Sequence, residues 1–298
     1  MEFRNIIISN PAKLSVCHSQ LCIAQEQEVT IPIEDVCTLM LESQQINISA
    51  SALETLATSG VTVFFCDRKR LPSSQLLAFN QHSRKKRLLY AQFELGKPLQ
   101  KQIWQAIVRQ KIRNQAACLR FAGCDGAEEL DYFADSVRSG DSGNIEAVAA
   151  AHYFPHLFGK SFTRGAECIE NAALNYGYAI LRGCIARNLV MHGLEPCMGI
   201  HHRSEVNQFN LADDVIEPYR PLVDLFVASQ EYEADELTPG MKKSLFNLTN
   251  YLVRQKNRRY RVMTSVDRCT WSLASSIQQE RLLLELPELI PLEEGRYE

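Results

Sequence analysis

The pattern of hydrophobic residues changes once along the chain, and this change is what most constrains the fold. Residues 1–66 consist of short apolar runs, several alternating with polar residues and separated by turn-forming pairs such as Asn10-Pro11. Such runs predict β-strands, because successive side chains of a strand point to opposite faces. From residue 84 onward the apolar residues recur at helical spacing. The sequence therefore predicts an α+β protein with a small β-rich N-terminal domain followed by a larger all-α C-terminal domain.

The expected boundaries follow from these patterns. Strands are predicted over 3–9, 13–17, 20–24, 28–33, 36–41 and 61–66. A helix is predicted over 49–59, where serines can cap a short apolar face that ends at Gly60. Residues 67–83 are polar and contain proline and serines, so they are predicted to link residues 1–66 to residues 84–298. Helices are predicted over 84–95, 98–122, 127–138, 143–158, 168–192, 218–230, 239–256 and 271–284, and a peripheral tail from 286 onward.

Composition excludes several classes of protein. The chain has 298 residues, of which 46% are hydrophobic and 22% charged, as in an ordinary globular protein. Its ten cysteines are scattered without a CxxC pair, so a zinc site or a disulfide framework is not expected. The N-terminus lacks the features of a signal peptide, and no apolar run is long enough to span a membrane. A cytoplasmic location and no membrane partner are expected.

Basic residues are concentrated in two parts of the sequence. Between Arg68 and Arg120 there are thirteen lysines and arginines but one acidic residue, Glu94, and a second cluster surrounds Tyr260. One-sided charge of this kind predicts contact with a polyanion, mainly through phosphates, although solvated surfaces would show the same pattern. The residues predicted from charge alone to contact DNA are Arg84, Lys85, Lys86, Arg87, Arg254, Arg258, Arg259 and Arg261.

Residues 199–224 place histidines and acids close together in the sequence. Asp213 and Asp214 precede Glu217 by four and three residues, which puts either pair on one face of a helix. Pro218 should end that helix and leave Glu217 at a junction, with His202 in an extended segment upstream. Carboxylates with a histidine indicate a Mg²⁺ or Mn²⁺ site. The alternative is that the acids only complement a helix dipole and the histidines are structural.

Glu146 is the best candidate for a third ligand. Asp141 or Ser142 can cap the helix that contains it, which places Glu146 in or near the first turn. The alternative is an acid that only stabilises the helix N-terminus. His152 and His156 share a helix face, but the glutamate of an HExxH motif is absent between them, so both are interpreted as structural.

Three motifs in this order resemble the CRISPR-associated integrase and endonuclease family, Cas-one. They are NIEAVAAAHYF with Glu146, ENAALNYGYAILRG at 170–183, and GIHHRSEVNQFNLADDVIEPYRPLVD at 199–224. The third is the most specific and is closest to members from CRISPR loci with a single large effector nuclease (type II). The resemblance implies Glu146, His202 and Glu217 as catalytic metal ligands. His201 in place of His202 stays open, as does Asp213 or Asp214 assisting or replacing Glu217, with Asp214 as the second choice.

The resemblance also implies a function and partners. The expected activity is metal-dependent integration of short duplex DNA as new spacers, by attack of a 3′-hydroxyl on a phosphodiester at the CRISPR repeat, together with endonuclease activity. The expected partners are prespacer and repeat DNA, a second copy bound through the β-rich domain, the small subunit Cas-two, and the large type II effector. Two alternatives remain from the sequence: a metal-dependent repair nuclease without integration, and a non-catalytic architectural DNA-binding protein.

Overall fold

The computed structural model describes residues 4–78, 85–232 and 236–295. These residues form two compact units, one made of residues 4–78 and the other of residues 85–295. The first unit is mostly β and the second mostly helical, which confirms the predicted α+β class.

The N-terminal unit consists of two four-stranded sheets and one helix. One sheet has the order β1-β5-β7-β8, in which β1, β5 and β7 run parallel, and the other has the order β4-β3-β2-β6. All six residues of β5 are buried, as expected for a central parallel strand. Leu14, Leu39 and Val63 lie at the centre of the apolar core. The elements are β1 (Arg4–Ile8), β2 (Ala12–Cys17), β3 (Gln20–Ala24), β4 (Glu28–Pro32), β5 (Val36–Leu41), β6 (Ile46–Ile48), α1 (Ala50–Thr58), β7 (Thr62–Cys66) and β8 (Pro72–Leu76).

The prediction of a linker over 67–83 was wrong for its central part. Residues 72–76 form β8, which pairs antiparallel with β7 at the edge of the sheet. The turn before it is held by Asp67, whose carboxylate accepts the N–H groups of Lys69 and Leu71. A polar edge strand satisfies the backbone groups of β7 without needing an apolar face, so hydrophobic patterning missed it. Residues 79–84 lie outside the described residues.

The C-terminal unit is built around two long helices, α3 and α6. Gly177 of α6 lets α8 approach closely, because a Cβ atom there would lie 2.5 Å from Val223 Cγ1. Helix α8 begins at Arg220, three residues after Glu217, and the guanidinium of Arg220 lies over the ring of Tyr178 on α6. The helices are α2 (Lys85–Phe93), α3 (Lys97–Ala122), α4 (Ala127–Ser136), α5 (Ile145–Phe158), α6 (Ile169–Met191), α7 (Asn210–Val215), α8 (Arg220–Ala228), α9 (Pro239–Phe246) and α10 (Val262–Gln278).

Two predictions for this part of the chain were wrong: the helix over 239–256, and the start at residue 271 of the helix that follows it. Helix α9 ends at Phe246, and the chain then forms a hairpin of β9 (Leu252–Gln255) and β10 (Arg258–Arg261). Lys256 and Asn257 join the two strands with positive φ angles of 47° and 62°, as in a tight two-residue turn. Helix α10 begins at Val262 rather than at 271. The C-terminal domain is therefore mainly, not wholly, helical.

The C-terminal tail packs into the unit, so the expectation of a peripheral tail was also wrong. Leu289 and Ile290 are buried. Asn114 of α3 donates to the carbonyl of Pro287 and accepts the N–H of Leu289 at 3.0 and 3.1 Å. Within the described residues, no helix has the length and hydrophobicity that a membrane crossing needs.

Candidate metal centre and nucleic-acid surfaces

Glu146 and Glu217 meet at one lysine in the middle of α3. Lys111 Nζ lies 2.6 Å from Glu146 Oε1 and 2.5 Å from Glu217 Oε2. The Lys111 and Glu217 side chains are 11% and 5% exposed, so the ammonium and this carboxylate are largely removed from water. Two carboxylates that are distant in the sequence thus share one cationic centre.

Glu146 is held by the start of its helix. Asp141 accepts the N–H of Ile145 with one carboxylate oxygen at 2.9 Å and the N–H of Glu146 with the other at 3.1 Å. These bonds satisfy two of the amide groups that a helix leaves free at its N-terminus. Asp141, one of the two caps predicted, therefore fixes Glu146 in the first turn of α5.

Glu217 lies at the junction of α7 and α8, in a single 3₁₀ turn with Pro218. Its Oε1 accepts the Nε–H of Arg220 at 2.9 Å. Burial by itself would raise the pKa of Glu217, but the positive charges of Lys111 and Arg220 lower it to about 2. The pKa of Lys111 is raised despite its burial, because both carboxylates stabilise the ammonium. Glu217 and Lys111 are therefore both ionised at neutral pH.

His202 is oriented by a buried aspartate. Its Nδ1 lies 2.8 Å from Asp214 Oδ1, and Asp214 also accepts the backbone N–H groups of Ile200, His201 and His202. The hydrogen bond to Asp214 raises the pKa of His202, against the opposing effect of burial. His201 instead stacks on Trp104, with ring centroids 4.1 Å apart and planes 2° from parallel. The structure therefore gives His202 the polar environment and His201 a packing contact.

The two aspartates near Glu217 have their own partners. Both oxygens of Asp214 are used to hold the loop that contains His202. Asp213 accepts a hydrogen bond from the side-chain amide of Asn207 at 2.7 Å and lies 3.8 Å from Arg182. Each of them thus has a structural function that the spacing in the sequence did not reveal.

The described residues contain no cluster of three histidine, cysteine or acidic side chains close enough to hold a metal. The structure joins Glu146 to Glu217 and leaves the His202 imidazole apart from them, although the charge of Glu217 still raises the pKa of His202. Carboxylates and an imidazole are nevertheless the types of ligand that a divalent cation takes. Glu217 Oε2 is buried and lacks an aligned hydrogen bond even though Lys111 is close. An imidazole whose Nδ1 is held by a carboxylate can offer Nε2 to a metal.

Sequence reasoning missed Lys111 and Arg220 as members of this site. Lys111 was counted only as one of the basic residues between Arg68 and Arg120, the first basic block. Nothing near Lys111 in the sequence points to Glu146 or Glu217. Arg220 did leave a signal, since it follows Glu217 by three residues, the spacing of ion pairs along a helix.

The first basic block does not form one surface. On α3, Arg113 pairs with Asp135 and Arg120 with Asp131, both from α4. Arg109, also on α3, donates to two backbone carbonyls. On α2, by contrast, Lys86 and Arg87 are exposed, and Lys85 lies 3.8 Å from Glu195. Arg84 lies outside the described residues. DNA contact by this group stays a prediction, now centred on α2.

The second basic cluster is paired with the acidic tail. Arg254 lies 2.6 Å from Glu288, and Arg259 lies 2.7 Å from Glu293. Glu285 pairs with Lys256 and Arg268. Arg261 donates to the carbonyl of Gly295 at 3.4 Å, and Arg258 is exposed. The tail offsets much of the charge from which DNA contact by Arg254, Arg258, Arg259 and Arg261 was predicted, and that contact stays untested.

Comparisons with known proteins agree with this architecture. The family model described as "CRISPR associated protein Cas1" matches residues 6–236. The "CRISPR-associated endonuclease Cas1" of Neisseria meningitidis serogroup C (strain 8013) is 43% identical over the full length of both chains. Among solved structures, a "Casposase bound to integration product" has a TM-score of 0.76 at 18% identity, covering 95% of this chain and 92% of the other. A "Cas6-RT-Cas1--Cas2 complex" has a TM-score of 0.69 at 16% identity, covering 97% of this chain and 36% of the other.

Proposed function

This chain belongs to the CRISPR-associated Cas1 family, and from that premise we propose that it is a Mg²⁺- or Mn²⁺-dependent DNA integrase. Its reaction would insert short duplexes at a CRISPR repeat, and the same site would cut DNA as an endonuclease. The names of the full-length relative and of the casposase support this proposal.

One observation carries the proposal. Two carboxylates, Glu146 and the deeply buried Glu217, converge on a single positive charge where α3, α5 and the α7–α8 junction meet. Two carboxylates that must stay ionised and close together need a cation between them, and Lys111 supplies it in this structure. Carboxylate oxygens are the ligands that Mg²⁺ and Mn²⁺ prefer.

Glu146, Glu217 and His202 Nε2 would hold the divalent cation. When bound, such an ion polarises a phosphate oxygen and makes a hydroxyl or water a better nucleophile. Arg220 keeps Glu217 ionised and oriented, and Asp214 fixes the tautomer of His202 by accepting its Nδ1–H. Lys111 keeps the two carboxylates together, so the carboxylate part of the site is positioned in advance.

The reaction is a direct displacement at phosphorus. The 3′-hydroxyl of the short duplex loses its proton and attacks a backbone phosphate at the repeat. The new P–O bond forms as the bond to the old 3′-oxygen breaks, and that oxygen leaves as a 3′-hydroxyl after taking up a proton. Water in place of the attacking hydroxyl gives cleavage instead. No covalent enzyme intermediate is required.

The proposed partners follow from the family. They are prespacer and repeat DNA, a second copy bound through the N-terminal β-rich unit, the small subunit Cas2, and the large type II effector. One structural neighbour is a Cas6-RT-Cas1--Cas2 complex, which supports the small subunit as a partner.

An integration assay tests the proposed function. The full chain and its Cas2 subunit would be incubated with Mn²⁺, a duplex with free 3′-ends and a supercoiled plasmid carrying the repeat array. Glu146→Gln, Glu217→Gln and His202→Ala should each abolish joining at the repeat edges. Glu129→Gln, an exposed carboxylate on α4, is the matched control and should join normally.

Other outcomes would identify the alternatives. Plasmid nicking without joining would favour a repair nuclease. DNA binding without any metal-dependent change in the DNA would favour an architectural protein. Joining that survives His202→Ala but not His201→Ala would move the histidine ligand to His201.

The α2 surface is tested separately by DNA binding. Replacing Lys85, Lys86 and Arg87 together with Gln should lower duplex affinity and flatten its salt dependence, because fewer counterions are released on binding. Replacing Arg113 and Arg120, which are already paired with Asp135 and Asp131, should have a smaller effect. Equal affinities and slopes for wild type and the α2 variant would reject α2 as a DNA-binding surface.

A further inference from the structure

A polar cavity lies next to Arg220, the arginine that contacts Glu217. It has a volume of about 210 Å³, and its lining includes Arg164, Asn175, Tyr178, Arg182, Asp213 and Arg220. Three of these six side chains are arginines, and Asp213 is the single carboxylate among them. The lining therefore has an excess of positive charge, and of these six side chains only Arg220 has a role in the proposed chemistry.

The arginines have N–H donors to spare. Arg182 makes no hydrogen bond shorter than 3.5 Å to the described residues, and its nearest carboxylate is Asp213 at 3.8 Å. Arg220 donates its Nε–H to Glu217, while its side chain remains 25% exposed. An arginine carries five N–H donors arranged as a planar fork. Both residues can therefore bind a further acceptor without giving up a contact that they already make.

Arg164 is fixed in place by uncharged groups. It donates to the side-chain oxygens of Asn171 and Asn175 on α6. Its guanidinium also lies over the ring of Tyr178, 5.5 Å from the centroid, while Arg220 lies 4.5 Å from the same centroid. Amide and aromatic partners orient a guanidinium but leave its charge uncompensated. Arg220, at the same ring, is paired with Glu217, whereas Arg164 makes its hydrogen bonds to amides, so an anion in the cavity would compensate the charge of Arg164.

The shape of the donors selects the kind of anion. Guanidinium groups match the paired oxygens of a phosphate, and several of them can bind it from different sides. A carboxylate is less well matched, because its two oxygens lie in one plane, whereas the oxygens of a phosphate diester are arranged tetrahedrally and can be approached from several sides. A phosphate group is the ligand that this lining fits best.

The position of the cavity connects it to the carboxylate pair. Arg220 contacts Glu217 with its Nε–H and also lines the cavity. Asp213, on the other side of Glu217 in the sequence, lines the cavity as well. A phosphate bound here would be separated from Glu217 by one arginine side chain.

We propose that the cavity lined by Arg164, Arg182 and Arg220 binds a backbone phosphate of the nucleic-acid strand next to the reacting phosphate. This subsite rests on the proposed function for its ligand, since a free phosphate compound would share the same chemistry. Its effect is to set the register of the strand, because phosphate contacts position a nucleic acid without reading its sequence. Arg182 is the residue through which it is best tested, since Arg220 also holds Glu217.

The experiment measures binding of the full chain, in EDTA, to a short single-stranded oligonucleotide. A series of oligonucleotides carries an uncharged methylphosphonate at one position at a time. With wild type, one position should lower the affinity about tenfold more than the others, as for a lost charged hydrogen bond. Arg182→Gln should lower the affinity for the unmodified strand by a similar factor. A methylphosphonate at that position should then cause no further loss of affinity.

Salt dependence and two further variants sharpen the result. Arg182→Gln should reduce the slope of log affinity against log salt by about 0.7, the value for one phosphate of a single strand. Arg182→Lys should retain the slope but lose part of the affinity, because it keeps the charge without the fork. Arg281→Gln, at an exposed position just after α10, is the matched control and should change neither quantity.

Wild-type affinity and slope in Arg182→Gln would overturn the proposal, as would equal sensitivity of wild type and variant to every methylphosphonate. Titration with pyrophosphate separates the two sources of phosphate. If Arg182→Gln weakens pyrophosphate binding, but no methylphosphonate position distinguishes wild type from the variant, the cavity binds a small ligand and the proposal is wrong.

Failure of the subsite and failure of the proposed function are distinguishable. If the protein joins DNA normally but no phosphate of the oligonucleotide contributes affinity through Arg182, only the proposed subsite is wrong. If one phosphate does contribute affinity through Arg182, but the protein neither joins nor cuts DNA with any divalent cation, the subsite is supported and the proposed catalytic function is wrong.

Discussion

Glu217 and Asp224 are two buried carboxylates seven residues apart, and their acidities are shifted in opposite directions. Glu217 faces Lys111 and Arg220, and their charges lower its pKa to about 2 despite burial. Asp224 accepts hydrogen bonds from the hydroxyls of Tyr153 and Tyr178, and burial raises its pKa to about 6. Burial is similar at both sites, with 4% and 1% of each residue exposed. The charge of the nearest donors therefore decides over which range of pH each carboxylate is ionised.

This difference assigns different functions to the two residues. Glu217 is ionised over the whole range of pH in which the protein would act, as a cation ligand must be. Asp224 has neutral partners and lies behind Tyr178, where it fixes the ring on which Arg220 and Arg164 rest. The first carboxylate serves the proposed chemistry, and the second supports the side chains around it.

The largest expected effect comes from removing the charge between the two glutamates. Lys111→Met should destabilise the metal-free protein by roughly 3–5 kcal/mol, because it leaves the buried Glu217 and the partly buried Glu146 without their shared counterion. Urea denaturation in EDTA measures this loss, and Mn²⁺ should recover part of it by binding the folded state. Arg113→Met, which breaks an exposed ion pair on the same helix, should cost less than about 1 kcal/mol. Equal losses for the two variants would contradict the contrast between buried and exposed charge.

The next effect is a dependence on pH at Asp224. Its folded pKa of about 6 lies above the ordinary value of 3.8, so the folded state holds the proton more tightly than the unfolded state. The stability that this proton contributes is complete below about pH 4 and is lost as the pH rises through 6. Asp224→Asn removes this dependence of stability on pH, so the variant should gain about 2 kcal/mol relative to wild type between pH 4 and pH 7.

Urea denaturation at several values of pH measures this prediction. Asp135→Asn, at an exposed carboxylate, is the matched control and should run parallel to wild type. A profile for Asp224→Asn that is also parallel to wild type would mean that Asp224 is ionised throughout, like Glu217, and the comparison would fail.

The smallest expected effect is at an ion pair exposed to water. Glu293→Gln leaves Arg259 unpaired on the hairpin, where the two side chains are 51% and 62% exposed. Solvent and salt screen such a pair, so the free energy of unfolding should fall by less than about 1 kcal/mol and the change should shrink in high salt. A loss as large as that of Lys111→Met would show that the hairpin depends on the tail far more than its exposure indicates.

Much of the fold could be predicted because its elements are local. The six predicted strands and the helix over 49–59 were found, with ends that coincide with the prediction or differ from it by one residue. The long helices α3 and α6 were also found, since their apolar residues repeat over many turns. The elements that were missed, β6, β8 and the β9–β10 hairpin, are short, and β8 and the hairpin are also rich in polar residues. Pairing with a neighbouring strand stabilises such segments, and that pairing leaves no periodic signal.

The sequence by itself determined the division into a β-rich and a helical part, the family, and the candidate residues Glu146, His202 and Glu217. These depend on patterns and motifs within short stretches of chain. Only the tertiary structure decided that Lys111 joins the two glutamates, that α4 and the tail neutralise much of the basic charge, and that Asp224 is held by tyrosines. Electrostatic interaction depends on distance and on exposure to water, and folding sets both between residues that are far apart in the chain.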